Sequence, residues 1–422
     1  MKTATTIVAA VIMALAVPLT AQPVAIVGGT VEVGDGTRIE RGTVLIDGPL
    51  ITKVGARVDL APGTRTIDAT GKVVWPGMID PFTTLGLVEV SLDRSTNDAD
   101  EATLTSTAQL RAIDGINPTS EPIAVTRIGG VTTALVQPGT RNPINGQAAI
   151  IDLAGRTAEE LAVRDVAGIV FNFSSIRDDS YPSTKPGTVA FIRQELYDAR
   201  AYAARASASD DEAGEQEPSK AARTDLEKDA LQRVLSRELP MIAVAPTSSD
   251  ILNALAVAKE FDLRLVLAAA REAWRVLPEI KAAGVSLLLG ETFDLPGERD
   301  PYDRYYRLAA TLQGAGIPFA FTTADNHNVR QLPEHAAMAV TFGLPEREAV
   351  RALAFNAARI LGIERSHGML AAGMTADVVI WDGDPLQIRS RPQRVFVRGL
   401  EVPLRSRQEA LRDAFSDLTA VY

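Results

Sequence analysis

The sequence contains no cysteine and only three histidines, His327, His335 and His367, among 422 residues. Without cysteine the chain has no disulfide bond, no thiolate metal site and no cysteine nucleophile, so its stability must come from its core. The sequence also lacks an excess of positive charge, since it has 43 lysines and arginines, 53 acidic residues and a formal net charge of −10. A nucleic-acid partner is therefore not expected, because binding a phosphate backbone requires clustered basic residues.

Long apolar runs are absent after residue 21, so no later segment is expected to cross a membrane. Residues 1–21 have the pattern of a secretory signal peptide: Lys2 precedes the apolar run Ile7–Val17, and a cut after Ala21 follows. An uncleaved anchor is the alternative, but an apolar core of about a dozen residues is short for a spanning helix of about 20. We expect an exported, periplasmic protein without membrane contact once the signal is removed.

Residues 22–72 consist of short alternating apolar segments separated by turn residues, and Asp47-Gly48 between two of them predicts a hairpin. From residue 73 to residue 367, apolar strands alternate with helices, which predicts an α/β fold with a parallel sheet closed into a (β/α)8 TIM-like barrel. The clearest helices are expected at Ser249–Phe261 and Ala273–Ala283. The eight expected strands are Val73–Ile79, Val131–Gln137, Ala148–Leu153, Gly168–Phe173, Pro240–Ala245, Leu263–Ala268, Val285–Gly290 and Pro318–Thr323.

Two further segments complete the predicted organisation. Residues 207–222 are acidic and carry no apolar run, so we expect a mobile, solvated insertion in the barrel. Residues 405–422 predict a C-terminal amphipathic helix, with Leu411, Phe415 and Leu418 spaced to dock on the barrel.

Three motifs resemble the amidohydrolase superfamily. Pro76-Gly77 and Ile79-Asp80 resemble its first barrel strand, and Gly368–Asp382 resembles the segment that closes a β-sandwich with the N-terminal strands. Residues 138–147 are similar to a loop of a secreted, imidazolonepropionase-like group. The resemblance covers nearly all of residues 24–404, and it implies that residues 22–72 and 368–404 form one composite β-sandwich built from both chain ends.

The resemblance also implies a metal site at the carboxyl ends of five barrel strands, in which bound ions activate a water molecule. Family members have a His pair after strand one, a Lys on strand four, His residues on strands five and six, and an Asp on strand eight. Here the corresponding positions hold Pro81-Phe82-Thr83, Val170, Met241–Pro246 and Ala269, and only strand eight keeps its acid, Asp325. The sequence therefore predicts that most of the metal ligands are missing. We assign no metal-binding residues from it.

The remaining polar candidates lie in the loops of the barrel mouth. Asp325 and His327 could ligate an ion weakly or form an acid–base pair, or Asp325 could cap the next helix while His327 faces solvent. Arg141, Asn145 and Gln147 could bind a ligand carboxylate or amide, or the loop could be held by its own Asn and Gly turn chemistry. We expect His335 to be a packing residue and His367 to lie in a surface turn without a role.

Two functions remain open. In the first, the chain has lost its metal centre, needs no cofactor, and serves as a silent binding or partner subunit. Its partner would be a histidine-complete paralogue or a second copy of itself, and a small-molecule ligand is also compatible. In the alternative, it hydrolyses C–N bonds of cyclic amides or dipeptides with a reduced site around Asp325 and a divalent metal such as zinc. Because an ion needs about three or four protein ligands, the first function is favoured.

Overall fold

The computed structural model describes residues 22–101, 103–177, 180–211, 224–290, 292–293 and 300–416. The predicted signal peptide lies outside these residues. Within them the chain forms two eight-stranded sheets and eleven α-helices. None of the helices in this part of the chain is long and apolar enough to cross a membrane.

The elements follow one another along the chain with these bounds. The strands are β1 Val24–Glu32, β2 Arg38–Asp47, β3 Leu50–Gly55, β4 Arg65–Asp68, β5 Val73–Pro76, β6 Met78–Thr83, β7 Val131–Val136, β8 Ile144–Asp152, β9 Ala162–Asn172, β10 Met241–Val244, β11 Leu265–Ala268, β12 Ser286–Leu289, β13 Phe319–Phe321, β14 Val378–Trp381, β15 Pro392–Val397 and β16 Leu400–Val402. The helices are α1 Glu121–Ile128, α2 Ala158–Leu161, α3 Lys185–Asp211, α4 Leu226–Leu235, α5 Ser248–Phe261, α6 Leu277–Ala283, α7 Arg304–Ala315, α8 Leu332–Thr341, α9 Glu346–Leu353, α10 Phe355–Leu361 and α11 Arg407–Phe415.

The first sheet combines both ends of the chain, in the order β16-β15-β14-β5-β1-β2-β3, with β4 also paired to β1. The hairpin predicted at Asp47-Gly48 is confirmed, and Gly48 has the positive φ of 54° that such a turn requires. The amide of Ile51 in β3 also donates to the carbonyl of Met374, 2.8 Å away, just before β14. The two ends therefore form one connected sheet, and the two-layered sandwich form of this domain stays a prediction.

The second sheet is a nearly closed barrel in which β6 to β13 lie in chain order. Its strands are the eight that the sequence predicted, but the third, β8, runs antiparallel to both β7 and β9. The expected strand–helix alternation is therefore wrong here. Residues 137–143 join β7 to β8 without a helix, and a connection this short can only reverse the chain, because a parallel crossover needs a dozen or more residues.

The first predicted strand is divided between the two sheets. Val73–Pro76 pairs with β14 in the end sheet, whereas Met78–Thr83 pairs with β7 in the barrel. Strand β6 extends beyond the predicted end at Ile79, through Asp80-Pro81 to Thr83. The register with β7 is irregular between Asp80 and Thr83, and such an irregularity accommodates a proline that cannot donate to the ladder.

Gly77 is the point at which the chain passes from one sheet to the other. A Cβ atom there would lie 1.9 Å from Thr132 Oγ1 and 2.7 Å from Thr132 Cβ, so a side-chain rotation cannot relieve the clash. We expect Gly77→Ala to lower the free energy of unfolding by about 1–3 kcal/mol. Gly314→Ala in α7 is the matched control, because a Cβ there meets nothing within 4 Å and alanine favours the helix. Urea unfolding of both variants measures the difference, and equal stabilities would contradict this account of Gly77.

Four peripheral predictions have different outcomes. Helix α5 is confirmed, and the segment predicted as Ala273–Ala283 is a 3-10 turn at Ala273–Arg275 followed by α6. Helix α3 extends to Asp211, into the predicted insertion, and residues 212–223 lie outside the described part. The predicted docking of the C-terminal helix is wrong for its described residues, because Leu411 and Phe415 of α11 are 45% and 59% exposed.

Candidate functional site

The barrel interior is filled by carbon side chains at the positions where metal ligands were expected. Phe82, Val170 and Val244 are buried in one apolar cluster, and Ala269 packs against it. These residues come from the first, fourth and fifth strands and from the end of the sixth. They offer no lone pair to a cation, so the expected ligand positions do not fit a divalent ion.

Asp80 is the buried polar group of the first strand, and it joins that strand to the last. Its Oδ2 accepts from the amide of Thr323 at 3.0 Å and from Thr323 Oγ1 at 2.6 Å, and its Oδ1 accepts from the hydroxyl of Thr322. Thr322 Oγ1 also lies 2.7 Å from the carbonyl oxygen of Phe82. The Asp80 carboxylate therefore closes the seam between β6 and the end of β13.

The protonation of Asp80 is set by its burial. The side chain is fully buried, which raises its pKa to about 6, although the donors of Thr322, Thr323 and Phe82 oppose the shift. With these donors around it, Asp80 has no face turned to a substrate. Its role in the fold is to hold the barrel closed.

The segment that follows β6 folds over the mouth of the barrel. The side chain of Asn326, beyond β13, donates to the carbonyl of Val88 at 3.1 Å. The amide of Gly139, beyond β7, donates to the carbonyl of Ala99 at 2.7 Å. This segment is thereby tied to the loops after the second and eighth strands.

Asn145 and Gln147, two of the candidates for ligand binding, hold the same loops in place. Asn145 exchanges two hydrogen bonds with the backbone of Asn142, at 2.8 and 2.7 Å. Gln147 Nε2 donates to the carbonyl of Ala108 at 3.0 Å, and both side chains are buried. Arg141 is exposed, and its carbonyl accepts from Ser175 Oγ at 2.7 Å. The contacts of Asn145 and Gln147 match the alternative in which turn chemistry holds the loop.

Asp325 caps the turn that follows β13. Its Oδ1 accepts from the amides of Asn326, His327 and Asn328, and its Oδ2 accepts from Asn328 Nδ2 at 2.9 Å. Burial acts to raise the pKa of Asp325, but these hydrogen bonds outweigh it and the pKa lies below its ordinary value. His327 is half-buried, and the structure joins it to Asp325 through its backbone amide.

His335 is a packing residue, as the sequence predicted. It is 6% exposed, its ring meets that of Phe293 edge-on with centroids 4.6 Å apart, and its Nδ1 has no hydrogen-bond partner. Burial lowers its pKa to about 4, against the opposing charge of Asp325. The ring is therefore neutral at physiological pH.

His367 is buried, so its prediction as a surface residue is wrong. Its Nε2 lies 3.2 Å from Asp152 Oδ1 and 3.8 Å from Asp377 Oδ2. Thr133 Oγ1 lies 2.9 Å from Asp152 Oδ1, and the backbone amide of Arg398 donates to Asp377 Oδ1 at 2.8 Å. We call Asp152, His367 and Asp377 the junction triad, because they join the barrel strand β8 to the end sheet.

The charged groups of the junction triad change one another's pKa values. Burial and the neighbouring charge of Asp152 raise the pKa of Asp377 to about 7. Burial would lower the pKa of His367, but Asp152 and Asp377 raise it above its ordinary value. The imidazolium form is therefore favoured between the two carboxylates.

The junction triad is the one His/Asp/Glu group in the described residues whose ligand atoms lie close enough to hold a metal ion. Its donor types suit such an ion, but His367 Nε2 already faces two carboxylates, as a hydrogen-bond donor would. Arg398 Nε also lies 3.8 Å from Asp152 Oδ2, where its positive charge opposes a cation. The present geometry fits a hydrogen-bonded ion network better than a metal site.

The junction triad also lies at the wrong end of the barrel for chemistry at the mouth. Asp152 ends the antiparallel strand β8 and pairs with Thr133, near the start of β7. In parallel barrels, functional groups collect at the opposite, carboxyl end of the strands. The sequence contained one signal of this group, Asp377 in the closing motif, but nothing in the pattern placed Asp152 or His367 beside it.

Little space remains where the sixth and seventh barrel strands end. A cavity of about 10 Å³ lies there, lined in part by Ala269, Gly290 and Tyr305. That volume is close to the minimum for one water molecule. A substrate does not fit at this point without movement of the loops.

Comparison with known proteins gives partial sequence matches and a near-complete structural match. A model described as "Amidohydrolase family" matches residues 305–411. The chain is 27% identical over 403 residues to the amidohydrolase tasK of Hapsidospora irregularis, covering 85% of this chain and 39% of tasK. It is 38% identical over 116 residues to the imidazolonepropionase of Verminephrobacter eiseniae, which is 26% of this chain and 23% of that protein.

A solved amidohydrolase from Thermotoga maritima has a similar fold over most of this chain. It superposes with a TM-score of 0.83 and 28% identity, covering 90% of this chain and 100% of that one. In contrast, the chain spans well under half the length of the two curated relatives that it matches. The likeness to imidazolonepropionases is thus confined to about a quarter of the chain.

Proposed function

This chain belongs to the amidohydrolase superfamily, and we propose that it is a catalytically silent member that acts as a binding or partner subunit. In this proposal the barrel holds no catalytic metal. The partner is a histidine-complete amidohydrolase, and self-association is the second form of the same role. Export to the periplasm belongs to the proposal as well.

The observation that carries the proposal is the apolar cluster at the expected ligand positions. Phe82, Val170, Val244 and Ala269 pack together where four strands of an active relative would direct ligands to one ion. A single substitution to histidine would not restore such a site, because a catalytic ion needs about three protein ligands. Placing a charged ion among these side chains would also cost several kcal/mol in lost solvation.

The length of tasK supports a role beside another folded unit. The match to tasK covers 39% of that protein, so the region similar to this chain is only a part of a longer polypeptide. We propose that this chain likewise works beside another folded unit.

The alternative is an active hydrolase of cyclic amides or dipeptides that uses Asp325. The four hydrogen bonds that Asp325 accepts from Asn326, His327 and Asn328 disfavour it, because both carboxylate oxygens are already engaged. A junction triad that binds a metal is the other route to activity. The geometry of Arg398 beside Asp152 disfavours that route.

Isolation of the tagged chain from its natural host tests the proposal. We expect it to co-purify in fixed ratio with a histidine-complete amidohydrolase, or as a homo-oligomer. Dipeptide and cyclic-amide hydrolysis should be undetectable for the isolated chain, and Asp325→Asn should leave the activity of the complex unchanged. A monomer that hydrolyses these substrates by itself, and loses activity in Asp325→Asn, would contradict the proposal.

A further inference from the structure

We propose that a groove along helix α8 binds small organic cations, in which an ammonium or guanidinium group is carried on a short apolar body. The groove has a volume of about 670 Å³ and lies outside the barrel, between α8 and the loop that follows β14. This volume is within the range of roughly 300–1,000 Å³ that small-molecule sites occupy. The inference does not depend on whether the barrel is catalytically silent.

The walls of the groove are mainly apolar. Ala337 and Met338 of α8 form one side, Leu386 of the loop forms the other, and Ile128 and Trp381 close it. These side chains can take up the aliphatic or aromatic part of a ligand, and burial of that part contributes about 25 cal/mol per Å².

The charged group of the groove is Glu334, in the first turn of α8. Its Oε2 is buried and has no hydrogen-bond partner. A buried carboxylate oxygen without a donor costs free energy, and this cost is recovered when a ligand supplies the donor. An ammonium or guanidinium group is the donor that also balances the charge.

The two arginines that line the groove are directed to other acceptors. Arg330 donates to the carbonyl of His327, and Arg391 donates to the carbonyls of Ile388 and Ser390. Burial raises the pKa of Glu334 above its ordinary value, and the charges of Arg391 and Arg330 only partly oppose this shift. A cation bound beside the carboxylate would lower the pKa again and favour the ionised form. Neither arginine donates a hydrogen bond to Glu334 Oε2.

Methyl NMR of the full chain tests this site, because Met338 lies in the groove and the protein contains only seven methionines. With 13C-methyl methionine, titration of n-hexylammonium should shift the Met338 signal and leave that of the buried Met78 unchanged. Hexanoate and hexanol, which have the same chain length without the positive charge, should bind at least about tenfold more weakly.

Variants test separately whether the charge and the open space of the groove are needed for binding. Glu334→Gln should weaken hexylammonium binding at least about tenfold, because the charge-assisted bond is lost. Glu346→Gln is the matched control, since Glu346 also lines the groove but lies 3.5 Å from its partner Arg38. Ala337→Trp should abolish binding by filling the groove without a change of charge.

The binding measurements on these ligands and variants can contradict the proposal in the following ways. Equal binding of hexanoate and hexylammonium, or unchanged affinity in Glu334→Gln, would overturn it. If Glu334→Gln does not fold, Ala337→Trp remains as the test, and binding that persists in this variant would overturn the site as well.

Discussion

Asp80→Ala is expected to lower the free energy of unfolding by about 3–5 kcal/mol at about pH 4, where Asp80 contributes fully, and this loss is enough to unfold many domains at 37 °C. The reason is that Asp80 is fully buried and accepts from the hydroxyl of Thr322 and from both the amide and the hydroxyl of Thr323. Alanine would leave these donors buried without acceptors at the seam of the barrel. Urea unfolding followed by circular dichroism measures the loss.

The control for this variant is Asp93→Ala, in the loop beyond the same strand. Asp93 is exposed and accepts only from Ser95, in a 3-10 turn, so its loss should cost no more than about 1 kcal/mol. Equal stabilities of the two variants would show that the seam does not depend on Asp80.

The same carboxylate should make stability depend on pH. Its pKa is about 6 in the folded chain, compared with about 3.9 when unfolded. Between these values the folded chain keeps a proton that the unfolded chain has released. The contribution of Asp80 is therefore complete below pH 4 and falls by about 3 kcal/mol as the pH rises through 6. Asp80→Asn should remove this slope, and an unchanged profile from pH 4 to 7 would contradict the assignment.

His367→Leu is expected to have the second large effect, a loss of about 3–5 kcal/mol below pH 6.5. Without the imidazolium, the buried carboxyl groups of Asp152 and Asp377 would lose the cation that lies beside both of them. Because the pKa of His367 is raised above its ordinary value of 6.5, the imidazolium contributes fully below that pH, and its contribution is lost as the pH rises through the raised pKa. Thermal unfolding should therefore show the largest defect in mildly acidic solution and a smaller defect in alkaline solution.

The other two histidines provide matched controls for this variant. His327→Leu should change stability by less than about 0.5 kcal/mol, because His327 is half-buried and contributes only backbone contacts to the cap of Asp325. His335→Leu should be neutral or stabilising below pH 6, since the neutral buried ring resists the proton that the unfolded chain accepts. A defect in His367→Leu that is independent of pH would contradict the network.

The sequence predicted the scaffold because its local signals were consistent with the fold. The eight barrel strands are apolar runs, and the Asp47-Gly48 turn has a specific backbone conformation. The direction of β8 was not predicted, because an apolar run does not indicate whether a strand is parallel or antiparallel to its neighbours. The length of its connection to β7 was the one available signal.

From the sequence, the candidate site could be predicted only by the metal ligands that it lacks. The residues at Phe82, Val170 and Ala269 indicated that ligands were missing, and the structure adds that two of these side chains are buried in the barrel core. The roles of Asp80 and His367 could not be predicted, because both depend on partners far away in the chain. Asp80 meets Thr322, and His367 meets Asp152, contacts that only the folded sheet order creates.

Metal content tests the central proposal most directly. After export, purification and dialysis, zinc, manganese and iron should each be found at less than about one-tenth of an ion per chain, because the described residues place fewer than three ligands at any one site in the barrel mouth. Mass spectrometry of Asp152→Asn and Asp325→Asn should give the same values as the parent chain. A content near one ion per chain that falls in Asp325→Asn would contradict the proposal, since it would place a working metal site in the barrel mouth.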